Sequence, residues 1–186
     1  MNVYDFDGTV YDGDSSFELF FFAVKKHPSV LRWIPMQLYG AVMYKLGKIP
    51  KTKFKEKFYS FYRSVPDMDR LLEEFWDTKT PKIKAWYISQ KREDDVIISA
   101  SPEFSLRVIC DRLGVKNLIA SKVDKRTGEC IGENCRGEEK IRRFKERFPD
   151  GKIDEFYSDS NADLPLAGLA KKAFLVKKNK ITKWDV

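Results

Sequence analysis

Five short apolar runs, separated by stretches with helical spacing, constrain the fold of this chain more than any other feature. The runs cover residues 3–6, 96–99, 118–120, 153–157 and 173–176. Residues 96–99 are apolar up to a final serine, as in strands that are buried on both faces of a parallel sheet, whereas two acids interrupt residues 153–157. Strands that alternate with helices predict an α/β fold, with a Rossmann-like parallel sheet between two helical layers.

Residues 13–79 break this alternation, because they show helical periodicity and contain no convincing strand. Candidate helices cover residues 17–24, 31–46, 54–62 and 68–76. We therefore predict a core formed by residues 1–12 and 80–186, with an all-helical cap, residues 13–79, inserted after the first strand. The length of 186 residues is enough for one core with an insertion but short for two independent domains.

The composition indicates a folded protein with a basic surface. Hydrophobic residues make up 42% of the chain, which argues against general disorder. The formal net charge of +7 attracts phosphorylated metabolites, nucleic acid or anionic lipid, and charge alone does not choose among them. We expect no nucleic acid partner, because the sequence contains no recognised nucleic-acid-binding motif.

The cysteines and the start of the chain indicate a location. Cys110, Cys130 and Cys135 are odd in number, and no His or further Cys completes a zinc site near them. We expect reduced thiols, as in a reducing compartment. The first predicted strand begins at residue 2, which leaves no room for a cleavable signal peptide before it. Both features favour the cytoplasm.

Two carboxylates follow the first strand. Asp5 and Asp7 are two residues apart, and Gly8 provides the conformational freedom for a sharp turn directly after them. After that turn, both side chains can approach one site from different directions. One carboxylate can then attack a substrate while the other transfers a proton, with a divalent cation offsetting their repulsion. Taken alone, the pattern is also compatible with a simple acidic turn.

Two later segments bring polar groups to a strand end and to a helix start. Ser99 ends the second predicted strand, and Ser101-Pro102-Glu103 is typical of a helix start with Ser101 as the cap. The Ser99 hydroxyl and the free amides of that helix would bind phosphate. Lys140 lies three residues after Gly137, where a second helix is predicted. A lysine ~4 Å from a phosphate contributes ~4 kcal/mol at an effective dielectric constant near 20.

A second pair of acids follows the run at residues 153–157. Asp159 and Asp163 are four residues apart, so they share one face where the strand gives way to a helix. Carboxylate oxygens with open coordination positions suit Mg²⁺, which keeps several waters and bridges to phosphate. An acidic helix start, favoured by the helix dipole, is the alternative for one of these residues.

These segments, in this order, resemble the motifs of the haloacid dehalogenase superfamily. The motifs are Asp5-x-Asp7-x-Thr9, Ser99 at a strand end, Lys140 three residues after Gly137, and the pair Asp159 and Asp163. The helical insertion after the first motif is similar to the cap of the phosphoserine-phosphatase-like branch. The resemblance implies a Mg²⁺-dependent phosphatase that hydrolyses a small phosphomonoester through an aspartyl-phosphate intermediate.

The resemblance also implies a role for each motif residue. Asp5 is the expected nucleophile, and Asp7 protonates the leaving group and then activates water. Gly8, Ser99, Ala100 and Lys140 are expected to contact the substrate, with Ser99 and Lys140 also assisting catalysis. The expected metal ligands are Asp5, the backbone carbonyl of Asp7, and Asp159, while Asp163 supports either the metal or Lys140 from further out.

The substrate is less constrained. Phosphoserine phosphatases generally have Ser-Gly-Gly at the second motif, where this chain has Ser99-Ala100-Ser101. This departure weakens the case for phosphoserine and leaves other small phosphomonoesters open. Phosphotransfer to an alcohol is an alternative to hydrolysis, since both reactions share one intermediate. An alternative of another class is a catalytically idle module that binds phosphate or a membrane surface.

The predicted cap contains twelve uncharged residues, 33–44, that are mostly large and apolar. They precede a run of lysines: Lys45, Lys48, Lys51, Lys53, Lys55 and Lys57. The segment is too short for a transmembrane span, which needs about 20 residues. We favour a buried cap helix with a solvated lysine face. The alternative is a helix at the inner membrane surface beside anionic headgroups, which would suit a phospholipid-headgroup phosphatase similar to the phosphatidylglycerophosphatases of the superfamily.

Overall fold

A computed structural model describes residues 1–185, and its centre is a six-stranded sheet. The strands are β1 (Asn2–Tyr4), β2 (Val96–Pro102), β3 (Asn117–Ser121), β4 (Ile153–Ser158), β5 (Ala170–Lys177) and β6 (Lys180–Lys183). Their order is β3-β2-β1-β4-β5-β6, and all neighbours are parallel except β5 and β6. The predicted α/β, Rossmann-like fold is therefore confirmed.

The eight α-helices fill the connections between the strands. They are α1 (Ser15–Lys26), α2 (Ile34–Lys45), α3 (Lys51–Tyr59), α4 (Met68–Lys79), α5 (Ala85–Gln90), α6 (Glu103–Arg112), α7 (Glu138–Arg147) and α8 (Leu164–Ala167). Short 3₁₀ turns at Pro28–Trp33 and Ser60–Ser64 flank α2 and α3. The predicted helix 31–46 is thus shorter than expected, because its first residues form a 3₁₀ turn.

Residues of β1 show how the layers form. Consecutive side chains on a strand point to opposite faces, so Val3 packs against Phe144 and Leu166 on the side of α7 and α8. Tyr4 faces the other way, and its ring stacks on Tyr157 at a centroid distance of 5.0 Å. Both faces of the sheet are therefore covered, and β1 lies in the middle with its carboxyl end directed to one edge.

The helices of the predicted cap share the core of the sheet. Trp76 of α4 is fully buried, and its indole N–H donates to the backbone oxygen of Ser105 in α6 at 2.8 Å. The same hydrophobic cluster contains Leu19 of α1 and Tyr4 of β1. The division at residues 13 and 79 stays a prediction, and α1 and α4 pack as part of the main body.

Helix α2 differs from the sequence interpretation, which favoured a buried helix. Gly40 is its only buried residue, and the exposed fraction is 62% for Leu38 and 56% for Val42. The prediction that this helix is buried is therefore wrong. Within residues 1–185, no other element covers its outer sides.

The predicted helix start at Ser101 is also wrong. Strand β2 continues to Pro102, and α6 begins at Glu103 without a side-chain cap. The pairing with β3 is irregular between Ser99 and Pro102, so the strand bulges at this point. Ser101 therefore belongs to the strand, and Ser99 does not directly precede the free amides of the helix.

The three cysteines are unpaired thiols, with Cys110 and Cys135 buried. Within residues 1–185, no helix combines the length and the apolar character that crossing a bilayer requires. The cytoplasmic location stays a prediction.

Candidate active site

The carboxyl ends of β1, β2 and β4 lie side by side, because β1 pairs in parallel with both of the other strands. Asp5 and Asp159 directly follow β1 and β4, and Ser99 lies at the bulge of β2. All three residues line one cavity of about 480 Å³. Sites in sheets of this type form at the carboxyl ends of the strands, and the fold places the predicted residues at that edge.

Lys140 connects two buried acids. Its ammonium group donates to Asp5 Oδ1 at 2.8 Å and to Asp163 Oδ2 at 2.7 Å, and the residue is 2% exposed. Burial works to lower the pKa of Lys140, but the two carboxylates outweigh it and hold that pKa above its usual value. Lys140 therefore stays protonated and leaves Oδ2 of Asp5 without this contact.

Burial also acts on Asp5 itself. It raises the pKa of the Asp5 carboxyl above its usual value, and the charge of Lys140 opposes the rise. The Lys140 ammonium group therefore favours the ionised form of Asp5.

Asp163 is held by two donors, Lys140 and the Ser158 hydroxyl, the latter at 2.8 Å. The sequence left two roles open for this residue, support of a metal or support of Lys140. The contact at 2.7 Å favours the second role, because it commits one oxygen of Asp163 to the lysine.

Asp7 is held by the start of α1 and by β2. Its Oδ1 accepts from the Ser15 amide at 2.7 Å, and its Oδ2 accepts from the Ser101 hydroxyl at 2.5 Å. Burial, with a further contribution from the charge of Asp14, raises the pKa of Asp7 to about 6. A carboxyl group with a pKa close to neutral is suited to both giving and taking a proton.

Gly8 allows the loop after Asp7 to pass directly beside Asp159. Its φ is +74°, and a Cβ at this position would lie 2.3 Å from Asp159 Oδ2. The Gly8 carbonyl accepts from Lys84 Nζ, which also donates to the Lys178 carbonyl, each at 2.6 Å. Lys84 therefore fixes this loop to the β5–β6 hairpin.

The bulge in β2 exposes backbone and hydroxyl groups to the cavity. The Ser99 oxygen accepts the Ser101 amide at 3.1 Å, which leaves the hydroxyl proton available to a ligand. The Ala100 carbonyl accepts from Lys55 Nζ at 2.6 Å and from the Ser121 hydroxyl at 2.9 Å. Ser99 and Ala100 line the cavity as predicted, and the bulge presents them in place of the expected helix start.

The predicted metal ligands form an open set of donors. Within residues 1–185, no three side chains of His, Cys, Asp or Glu form a closed metal cage. Mg²⁺ needs no such cage, because it is usually bound by one or two carboxylates together with waters and substrate phosphate. Asp5, Asp7 and Asp159 line the same cavity, so two carboxylates and the Asp7 carbonyl suit that pattern. Burial raises the pKa of Asp159.

Several cavity residues were not predicted from the sequence. Lys51 and Lys55 come from α3, and Arg136 precedes Gly137. Burial lowers the pKa of Lys55, opposed by Asp7 and Asp14. In the sequence Lys55 could not be distinguished from its neighbours in the lysine run. Arg136 had one usable signal, its position four residues before Lys140.

Phe17, Phe54, Phe58 and Tyr59 complete the wall of the cavity on the side of α1 and α3. The Phe58 ring contacts those of Phe17 and Tyr59, at centroid distances of 4.8 Å and 5.6 Å. The cavity is thus lined by polar groups at the ends of the strands and partly by aromatic rings on the side of α1 and α3.

The carboxyl edge of a mostly parallel sheet thus brings together Asp5 and Asp7, a lysine that bridges two buried acids, and Asp159, which is a carboxylate-based site on an α/β fold. The family model described as haloacid dehalogenase-like hydrolase matches residues 3–168. This chain belongs to that family, and it is a hydrolase. The superfamily expected from the motifs is therefore confirmed.

Solved structures share the fold at low sequence identity. A protein of unknown function from Bordetella pertussis Tohama I has a TM-score of 0.75 at 19% identity, with 93% of this chain and 87% of that chain covered. A phosphoserine phosphohydrolase-like protein from Francisella tularensis subsp. tularensis SCHU S4 has a TM-score of 0.59 at 18% identity, with 96% and 90% covered.

A third solved structure, a phospho-aspartyl intermediate analogue of phosphoserine phosphatase, has a TM-score of 0.56 at 16% identity, with 92% and 83% covered. These likenesses support the expected phosphoserine-phosphatase-like fold. The sequence matches no curated protein.

Proposed function

We propose that this hydrolase is a Mg²⁺-dependent phosphatase that acts on a small phosphomonoester through an aspartyl-phosphate on Asp5. The observation that carries the proposal is the Lys140 contact to Asp5 Oδ1 at 2.8 Å beside the Asp7 carboxyl in the same cavity. The contact orients Asp5 and leaves its second oxygen for attack on phosphorus. A nucleophilic carboxylate and a neighbouring acid–base group are what a two-step phosphate transfer requires.

In the first step, an Asp5 oxygen forms a bond to phosphorus as the bond from phosphorus to the ester oxygen breaks. Asp7 gives its proton to that leaving oxygen. In the second step, Asp7 takes a proton from water, the water oxygen bonds to phosphorus, and Asp5 is released with inorganic phosphate. The Ser99 hydroxyl, the backbone at Ala100 and the Lys140 charge bind the phosphoryl oxygens, whereas the Gly8 amide already donates to the Gly13 carbonyl at 2.9 Å.

Asp5, Asp159 and the Asp7 carbonyl would hold the Mg²⁺, which neutralises phosphate charge when it is bound. Asp163 keeps Lys140 in position. Gly8 is required because a side chain there would displace Asp159. We also propose the cytoplasm as the location, because the sequence predicts reduced thiols.

The test is turnover of a panel of phosphomonoesters by the native protein and by Asp5→Asn, with Mg²⁺ and with a chelator. We expect Asp5→Asn and chelation each to lower turnover by a factor of about 10³ or more. Asp5→Asn should fold, because Lys140 keeps its contact with Asp163. Asp12→Asn is the matched control, since Asp12 is exposed on the same loop and outside the cavity.

Activity retained by Asp5→Asn would disprove the nucleophile. Phosphate binding without turnover in every variant would instead support the idle binding module. Product analysis with added alcohol separates hydrolysis from phosphotransfer.

A phospholipid headgroup is the second candidate substrate, and one observation favours it. Helix α3 lines the cavity with Lys51, Phe54, Lys55 and Phe58, and it also carries the exposed apolar helix α2. The substrate panel should therefore include phosphorylated lipid headgroups and the corresponding intact lipids.

A further inference from the structure

Helix α2 presents an unusual amount of apolar side chain to solvent. The exposed fraction is 62% for Leu38, 56% for Val42 and 54% for Tyr39, and that of Leu46, just after the helix, is 61%. Leu31, Met36 and Tyr44 are also exposed. Single exposed apolar residues are common, but a cluster of this kind on one element marks an interaction surface.

The helix is held firmly although most of it is uncovered. Gly40 packs against α3 so closely that a Cβ would lie 2.6 Å from Lys57 Cβ. The Tyr44 ring stacks on Phe54 at 5.2 Å, and the Gln37 amide donates to the Phe58 carbonyl at 2.9 Å. Helix α2 is thus attached along one narrow side, and its remaining sides form a preformed apolar surface.

This surface lies in a strongly basic part of the chain. Residues 19–55 contain eight Lys or Arg residues and no Asp or Glu. The ion pairs of this segment are Lys26–Glu74 and Lys53–Glu56. Within the described residues, Arg32 before α2, Lys45 at its last position and Lys48 after it are exposed and belong to no ion pair. Positive charge therefore flanks both ends of the apolar helix.

We propose that the α2 surface, formed by residues 31–48, docks on an anionic lipid bilayer. The surface combines apolar side chains, two tyrosines and cations at both ends, which suits the boundary between lipid headgroups and acyl chains. Burial of apolar area and attraction to anionic headgroups both contribute to the binding free energy there. A second copy of this chain is a poorer occupant, because a symmetric contact would bring the same cations together. The proposal does not depend on the proposed hydrolysis.

Binding to vesicles tests the proposal directly. The probes are phosphatidylcholine vesicles with and without about one-third phosphatidylglycerol, separated from free protein by flotation at several salt concentrations. We expect binding to the anionic vesicles that weakens as salt screens the charges. The double variant Leu38→Asn/Val42→Asn should bind at least tenfold more weakly. Lys45→Gln/Lys48→Gln should lose about 25-fold, since each cation near such a surface contributes about fivefold.

Matched controls lie outside the α2 surface. Leu169, exposed just before β5, gives Leu169→Asn, and Lys145→Gln/Lys152→Gln removes two exposed lysines with the same change in net charge. These variants and Asp5→Asn should bind as the native protein does. Equal binding by the α2 variants, or no preference for anionic vesicles, overturns the proposal. So does a dimer in solution that Leu38→Asn/Val42→Asn dissociates, because the surface then belongs to a second copy.

Discussion

Replacing Lys140 by Met removes the ammonium group that joins Asp5 and Asp163 and leaves two carboxylates in a buried site. The lysine is 2% exposed, with contacts of 2.8 Å and 2.7 Å. Breaking a buried ion pair from one side costs ~3–5 kcal/mol, because the remaining charge has no partner. We expect that loss in the free energy of unfolding, which is a large part of the ~5–15 kcal/mol typical of a domain.

The same substitution should lower turnover about 10³-fold, because a lysine ~4 Å from phosphate contributes ~4 kcal/mol. Urea unfolding and steady-state kinetics measure the two effects separately. Asp163→Asn should cost only ~1–2 kcal/mol, because Lys140 keeps its contact with Asp5. The double variant should be more stable than Lys140→Met alone, since one unpaired carboxylate is gone. Lys145→Met, exposed on the same helix, is the control.

If Lys140→Met unfolds within about 1 kcal/mol of the native protein, the two carboxylates do not depend on this lysine for their charge balance, and the reasoning from the buried pair fails. Turnover within about tenfold of the native value would refute the catalytic part alone.

Three further substitutions give separate tests. Gly8→Ala adds the cost of a left-handed backbone, ~1–2 kcal/mol, and displaces Asp159, so kinetics should show turnover reduced about 100-fold and calorimetry a lower Tm. Ser101→Ala removes a donor from the Asp7 carboxylate and should lower kcat about tenfold or more at nearly constant KM, with a shifted pH profile; an unchanged profile would contradict this positioning role. The two arginines beside Glu139 lower its pKa from 4.5 to about 2. This carboxylate therefore stabilises the fold above pH 4.5, and its contribution is lost as the pH falls towards 2. In urea unfolding, Glu139→Gln should lose less stability than the native protein over that pH range.

The strands and their common edge could be predicted from the sequence for a physical reason. A strand buried on both faces must be apolar throughout, and parallel strands bring their carboxyl ends to one edge. Once residues 3–6 and 96–99 were interpreted as strands, Asp5 and Ser99 were expected at the same edge of the sheet; their proximity follows from the pairing of β1 with β2. Strand β6 was missed because Lys180–Lys183 is short, polar and at the sheet edge, where little side chain is buried.

Burial could not be predicted in the same way. The sequence of residues 33–44 shows that their side chains are mostly apolar. Whether those side chains are buried depends on which other elements of the chain pack against them. Gly40 contacts α3, and the other sides of α2 meet nothing in residues 1–185. The bulge that turns Ser101 towards Asp7 is equally a property of pairing with β3, which single residues do not encode.

Lys140 illustrates the limit most clearly. With lysines spread along the whole chain, its spacing from Gly137 selected it only through the resemblance to known motifs. Its contact with Asp5 spans 135 positions in sequence, and no local pattern carries that information. Burying a lysine is costly unless acids compensate it, and the two carboxylates that raise its pKa do so here. Because burying three charged groups together is costly, their arrangement indicates a functional site, which the abundance of lysine in the sequence does not.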